Sequence, residues 1–544
     1  MKGALNGNAI RKAVPALILT TVFSAAFVLD SGRPETTGIS HSIETGQSRI
    51  HVQLLGVNDF HGQLNVTREV NGRPVGRGDY LAAYLKERKA ENKNTLLVHA
   101  GDMVGASAPV SSLFQEEPAI HVLNKIGFDI GTLGNHEFDR GTKEMLRLIR
   151  GGFNQRSEYF IGAGFPYLCA NVLNAKTNSP IFPPYKIMKV AGVPIGFIGV
   201  VSDDTPSMVD SKAIEGVTFI DEVTAINIAV GELKDQGVKA IVVLAHISGK
   251  QSSRDAAASG EIVEMAKLVD DEVDVMFAGH SHSYLNTEVD GKLLVQAESY
   301  GTAFSDVDLE IDPVTKEIVS KIAEIVVTYH DAIKPDPEMK ALIEKYETEV
   351  TSVVDEIVGT AAFDITSKRN ENGESTLGNL IADSERSMMN TDFAFINPGG
   401  IRAELQAGTV SYEELLTILP FHHHLVKMQL TGDQIRQVLN QQWQHDQVRM
   451  LQVSGLKYTW DERKTGSDKI VDLYTDDGTL VVPDKTYSVT VTSYLANGGD
   501  HFTAFQNGTN KEMGPIDVDS FKEYLKQFNQ PIRSFIDGRI QKVR

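Results

Sequence analysis

An α/β domain followed by an α+β domain is the fold class that the sequence predicts, and three observations carry it. At 544 residues the chain exceeds what one hydrophobic core serves. Its first part alternates short apolar runs with amphipathic helical stretches, the pattern of buried strands joined by helical crossovers. Near the middle, a helical segment that opens on prolines and closes on a glycine separates this alternation from one of a different kind.

The elements follow in order. Residues 1–30 begin with Lys2, Arg11 and Lys12, pass through the uncharged stretch AVPALILTTVF from Ala13, and reach the small residues Ser24 to Ala26. That order predicts a secretory signal and export to the periplasm, the cell surface or the medium. An uncleaved membrane anchor is the competing reading, because the uncharged run extends to Leu29. Residues 31–49, rich in Ser, Thr, Gly and Glu, predict a tether. The α/β domain is expected over residues 50–330, with strands at HVQLLGV, TLLVHA, FDIGTL, VPIGFIGVV, KAIVVLAH and VDVMFAG. Helices are expected at DYLAAYLKERKAEN and AINIAVGELKDQG. A connecting helix is expected over residues 334–359 and the α+β domain over 360–544. In that second domain STLGNLIADSERSMMN, YEELLTILP and TGDQIRQVLNQQWQHD read as helices; MLQVSGLKYTWD, IVDLYT and KTYSVTVTSYL read as strands.

Composition narrows the function classes. A hydrophobic content of 41% with 23% charged residues is globular. The net charge of -20 argues against nucleic acid or an anionic membrane surface as a default partner. An anionic substrate must then be drawn by local metal or arginine charge. A single cysteine, Cys169, excludes an intramolecular disulfide and a thiolate zinc site, so any metal is held by nitrogen and oxygen. Its setting YLCAN reads as a buried strand position.

Nitrogen and oxygen ligands are what the strand ends supply. Asp59 and His61 follow the first strand, Asp102 the second, and Asn135 and His136 the third. His246 sits at the end of another, and His280 and His282 follow the last. Loops at the carboxyl ends of strands converge on one edge of an α/β sheet, so these residues can share a crevice. Two carboxylates, one amide and four imidazoles suit two borderline divalent ions such as zinc or manganese. Asp102 is the natural bridge, since a carboxylate has two oxygens. Two such ions clamp a phosphoryl group and lower the pKa of a shared water. Singly, a histidine near a strand end is more often a hydrogen-bonded structural residue; five motifs in order, each at a strand end, reverse that balance.

In this order VNDFHGQL, GDMVGAS, GNHEFD, AHISG and GHSHS resemble the calcineurin-like metallophosphatases, and the second domain resembles that of the secreted 5'-nucleotidases and UDP-sugar hydrolases. The resemblance covers nearly all of Ile50 to Arg544. It implies a four-layer α/β/β/α sandwich for the first domain and a substrate-binding role for the second. It also implies that Asp59, His61, Asp102 and His282 hold one ion and that Asp102, Asn135, His246 and His280 hold the other. His136 and Asp139 would form a catalytic pair, the imidazolium stabilising or protonating the leaving oxygen while the carboxylate favours its charged form. Glu137 reads as a hydrogen-bonding support and Phe138 as core.

Three stretches of the second domain suit selectivity. INPGGIR offers Asn397, Gly400 and the guanidinium of Arg402; LPF ends at Phe421; YLANGGDHF holds Tyr494, Asn497 and Asp500. Two aromatic rings can sandwich a base, and a carboxylate can accept from ribose hydroxyls. The resemblance implies that Phe421 and Tyr494 are the stacking pair, that Asp500 contacts the ribose, and that Asn397 and Arg402 contact substrate. It aligns Arg369 more loosely, as a second anion contact. Departures from the family pattern are His422, His423 and His424, where a small residue and then asparagine are usual; Pro398 in place of glycine; and Tyr494 in place of phenylalanine. The triple histidine puts base preference in doubt, and as a third metal site it is disfavoured because adjacent side chains splay. Arg77-Gly78-Asp79 matches an adhesion tripeptide, but Asp79 is better read as a helix N-cap.

The expectation is therefore an exported dinuclear-metal phosphoesterase. It would cleave nucleoside 5'-monophosphates through a metal-bridging hydroxide, with a small nucleotide as its partner. The alternatives are 2',3'-cyclic nucleotides, UDP-sugars or dinucleotides as substrate at the same site, or a surface binding protein without turnover. Relatives acting on cyclic nucleotides tend to carry asparagine where Asp139 stands, which favours the nucleotidase.

Overall fold

A computed structural model of the chain describes residues 48–543, apart from 156–157, 211, 444–447 and 466–467. The signal or anchor expected at residues 1–30 lies outside the described residues, as does the tether up to residue 47. Among the described residues no helix is long and apolar enough to cross a membrane.

All six strands expected in the first domain form, distributed over two sheets. The first sheet runs Ile318–Val327, Ala303–Ile311, Ile50–Val57, Thr95–His99, Ile130–Thr132, Tyr167–Leu168. The second runs Tyr185–Val190, Val193–Val201, Ala240–Ser248, Val273–Gly279, Lys292–Ala297, Tyr284–Val289. In each the strands that carry the motifs are mutually parallel, with antiparallel strands outside them. Strand Ile50–Val57 shows why the apolar run is continuous. Val52 and Leu54 face the second sheet, packing with Phe197, Leu244 and Phe277. Leu55 and Val57 face the other way, against Leu81, Leu85 and Leu123 of the helices Gly78–Glu91 and Glu117–Ile126. Both faces are buried, so period-2 alternation brings an apolar side chain to each. The outer face of the second sheet is covered by helices Glu222–Asp235 and Glu261–Met265. The result is the four-layer α/β/β/α sandwich.

Helix Pro337–Val354 opens on an Asp336 cap that accepts from the Met339 N–H. Met339 and Ile343 sit in the core of the first domain, whereas Val350 and Val354 sit in that of the second. This one rod is therefore rooted in two cores. The helix expected to reach Gly359 stops at Val354: Ile357–Ala361 is a strand paired with Gly408–Ser411, as the β-branched Ile357 and Val358 prefer. The second domain is α+β, a five-stranded sheet with Thr486–Thr492 and His424–Thr431 at its centre and helix Thr376–Met389 against it.

Asp79 is not the N-cap. The helix begins one residue earlier, at Gly78, with Arg77 as cap. Asp79 is buried in the first turn and pairs with the Arg77 guanidinium at 3.0 Å, which closes the tripeptide on itself.

Candidate active site

The strand ends of both sheets meet at one edge, and there Asp59, His61, Asp102, Asn135, His246, His280 and His282 come together. Their backbone is unusual. Asp59, His61, Asp102, His280 and His282 have φ of 50, 50, 52, 71 and 51°. Non-glycine residues rarely take such values, at a cost of order 1–3 kcal/mol each, and they cluster where side chains must be aimed. Gly134 lets the third loop approach, because a Cβ there would lie 2.1 Å from Asp102 Oδ1 and 2.5 Å from its backbone nitrogen.

Two groups form around Asp102. His61 Nε2 lies 3.1 Å from His282 Nε2 and 3.7 Å from Asp102 Oδ2, and His282 Nε2 lies 3.4 Å from Asp59 Oδ1. On the other side His246 Nε2 is 3.1 Å from Asp102 Oδ2 and 3.2 Å from Asn135 Oδ1, and Asn135 Oδ1 is 3.0 Å from His280 Nδ1. The far side of two rings fixes their tautomer. His61 Nδ1 donates to the Gly105 carbonyl at 2.7 Å and His246 Nδ1 to that of Ala100 at 2.8 Å. In the neutral rings the Nε2 lone pairs then point inward. As an imidazolium His246 donates from Nε2 to Asp102 and Asn135; once that proton is lost, its Nε2 lone pair and Asn135 Oδ1 face the same point, as shared ligands of one cation would. Burial pushes His61 down well below the usual imidazole range and His280 to about 4, so both stay neutral. Burial also opposes charge on Asp102 and His246. Their mutual attraction outweighs it, holding the carboxyl well below its usual range and raising the imidazole to about 10. The donor set, its convergence and its tautomers all fit two divalent cations.

Glu137 braces the loops, accepting the backbone N–H groups of Asp102, Met103 and Gly134. Phe138 is fully buried. His136 begins a 3-10 turn, its Nδ1 2.9 Å from Asp139 Oδ2. Burial opposes its charge, but Asp139 and then Asp102 outweigh burial and raise its pKa. Its ring meets His61 edge-on at 4.9 Å and stacks on Phe421 at 5.6 Å, 18° from parallel.

With Phe421 the second domain enters. The Arg402 guanidinium lies 5.9 Å from the Phe421 ring, and its Nε and Nη2 are buried without a hydrogen-bond partner. Its charge opposes protonation of His61, His136 and His282, alongside the larger effect of burial. Buried guanidinium N–H groups without partners have the chemistry to grip an anion. Asp500 accepts from Asn397 Nδ2 at 2.6 Å and from the Tyr494 hydroxyl at 3.0 Å. Gly400 closes the turn Pro398–Gly400 by donating to the Asn397 carbonyl. Asn497 donates to Asp210 at 3.3 Å, across to the first domain.

A model of calcineurin-like phosphoesterases matches residues 52–284, and one of the 5'-nucleotidase C-terminal domain matches residues 351–507. The cell wall protein Lmo0130 of Listeria monocytogenes is 34% identical over 526 residues, covering 88% of this chain and 67% of that protein. The chain belongs to the 5'-nucleotidase family. The endonuclease YhcR of Bacillus subtilis is 43% identical over 525 residues, 95% of this chain but 43% of that protein, so the chain spans less than half of this relative. Among solved structures, a 5'-nucleotidase precursor from Thermus thermophilus aligns with a TM-score of 0.80 at 27% identity, over 91% of this chain and 99% of that one.

Within this family framework some residues stand where sequence reasoning did not put them. Arg369 lines a hollow of about 630 Å³ with Trp443, Trp460 and Lys469, and none of the other candidate residues lines it. Arg449 lies 3.7 Å from Asp500. Arg68 stacks 3.8 Å over Tyr300, whose ring abuts His61 and His282. Nothing in the stretches around Arg449 and Arg68 signals these contacts, which link residues remote in sequence. The three histidines diverge: His422 takes a φ of 54°, His424 Nδ1 bonds the Gly514 carbonyl, and His423 lies between Phe421 and Tyr494.

Proposed function

We propose that this chain is an exported two-metal phosphoesterase that hydrolyses nucleoside 5'-monophosphates to nucleoside and phosphate. One observation carries the reading: His136, at the metal-type cluster, stacks directly on Phe421, so an anion site and an aromatic slot adjoin beside the free guanidinium of Arg402. Asp59, His61, Asp102 and His282 would hold one ion; Asp102, Asn135, His246 and His280 would hold the other. When bound, such a pair supplies Lewis acidity and a water of lowered pKa.

The chain's own residues do the rest. Arg402 grips the phosphate oxygens. Phe421 and Tyr494 hold the base, and Asp500 and Asn397 orient the ribose. His136 keeps its proton on Nε2 through Asp139 and delivers it to the ribose 5'-oxygen as the P–O bond breaks. The helix Pro337–Val354, rooted in both cores, is the place for a hinge that admits substrate and releases product. Export rests on the N-terminal pattern and on the cell-wall name of the Listeria relative. The endonuclease name of the Bacillus relative favours a second reading, a phosphodiesterase using the same cluster.

The test is phosphate and nucleoside release from AMP, 2',3'-cyclic AMP, UDP-glucose and a dinucleotide, with and without Mn²⁺ or Zn²⁺. Metal-dependent release that is fastest from AMP is the expected result. Turnover of a diester with AMP left intact would overturn the nucleotidase reading in favour of the second.

A further inference from the structure

His423 occupies the interval in which the nucleotidase reading places the base. Its ring stacks on Phe421 at 5.5 Å and 18° and on Tyr494 at 5.6 Å and 15°. With His136 it completes a run of four rings, each nearly parallel to the next. These spacings and angles are those of offset-stacked aromatic pairs. A purine is larger than an imidazole, so the two cannot share the interval.

The backbone at this point is fixed while the side chain is not. His422 turns the chain at a φ of 54°, the His423 carbonyl accepts from the Asp517 N–H at 2.8 Å, and the next residue opens the strand His424–Thr431. Among the described residues no hydrogen bond holds either ring nitrogen of His423, and its ring stacks on two others. Burial pushes its pKa down to about 4, which leaves it uncharged at neutral pH. A flat, neutral nitrogen heterocycle stacked on two aromatic rings has the stacking chemistry of a base.

We propose that His423 is a resident base mimic, and that a nucleotide enters the slot between Phe421 and Tyr494 only by displacing this imidazole. This rests on the reading that those two rings receive the base. It makes His423 a specificity-determining residue, one that taxes base-bearing esters and spares base-free ones. Displacement is a side-chain rotation, because the anchored backbone has no reason to move.

The experiment compares AMP with ribose 5-phosphate, the same ester without a base, on the metal-loaded full chain as wild type, His423→Ala and His423→Asn. The expected result is that His423→Ala raises the ratio of the ribose 5-phosphate KM to the AMP KM about tenfold, the value of one or two lost ring stacks. Adenosine binding by calorimetry should tighten by a similar factor. His423→Asn, which keeps a polar side chain but no ring, should move both quantities the same way. A KM ratio that stays constant in both variants, or an AMP KM that rises, would overturn the proposal while leaving the nucleotidase reading in place. Cleavage of ribose 5-phosphate with AMP untouched and adenosine unbound in all three proteins would overturn the nucleotidase reading and the proposal together.

Discussion

At the metal-type cluster the side chains are aimed from behind: carbonyls of Gly105 and Ala100 orient His61 and His246, and five residues accept left-handed backbone to point inward. At the ring-lined slot the rings of Phe421, His423 and Tyr494 stack on one another, and Asp500 is reached by the nearby Tyr494 hydroxyl and by Asn397 and Arg449 from distant segments. The first region aims its ligands through hydrogen bonds and five positive φ values, whereas the second relies on ring faces, with positive φ at His422 and Asp500. Chemistry that needs atoms placed within fractions of an ångström is built the first way. Selection among esters of similar shape tolerates the second.

The largest effect should come from Asp102, the residue common to both groups. Replacing it with alanine is expected to lower turnover of every substrate by more than about 100-fold and to lower bound metal, measured by elemental analysis. Undiminished activity would break the contrast at once. His136→Ala comes next, with an expected loss of about 10²–10⁴ in kcat on AMP. A p-nitrophenyl ester, whose leaving group needs no proton, should be spared most of that loss. Equal losses on both esters would remove the proton-donor role.

The sequence made the first region legible and the second only partly so. Asp59, His61, Asp102, Asn135, His246, His280 and His282 stood in short motifs at strand ends, and parallel topology carries such ends to one edge. Their strained φ values could not be read, because they arise from packing between loops. His423 was visible as a departure from the family pattern, yet its place between Phe421 and Tyr494 depends on a distant helix closing over it. Asp79 misled because a glycine can open a helix one position before the residue that looks like its cap. Gly359 misled because a glycine inside a strand resembles a helix stop.

A smaller effect concerns pH. Burial opposes charge on His136, but Asp139 and then Asp102 outweigh it, so the proton leaves at a higher pH than it would from a free imidazole. The kcat for AMP should fall as pH rises through that raised pKa, on a limb displaced to the alkaline side of a free imidazole's. Asp139→Asn removes the larger of the two attractions, so the fall should move to lower pH. A pH–rate profile with the same alkaline limb in both proteins would contradict that assignment. The smallest change expected belongs to the slot: Tyr494→Ala should raise the AMP KM about tenfold, since one base–aromatic stack is lost, and ribose 5-phosphate much less.

The central claim is that two ions work together over one set of ligands joined by Asp102. Stripping the protein with a chelator, adding Mn²⁺ in known amounts and following phosphate release from AMP tests it most directly. The expected result is an inactive stripped protein whose rate climbs until two ions are bound per chain. Full activity at one ion per chain, or activity that ignores the metal, would contradict it.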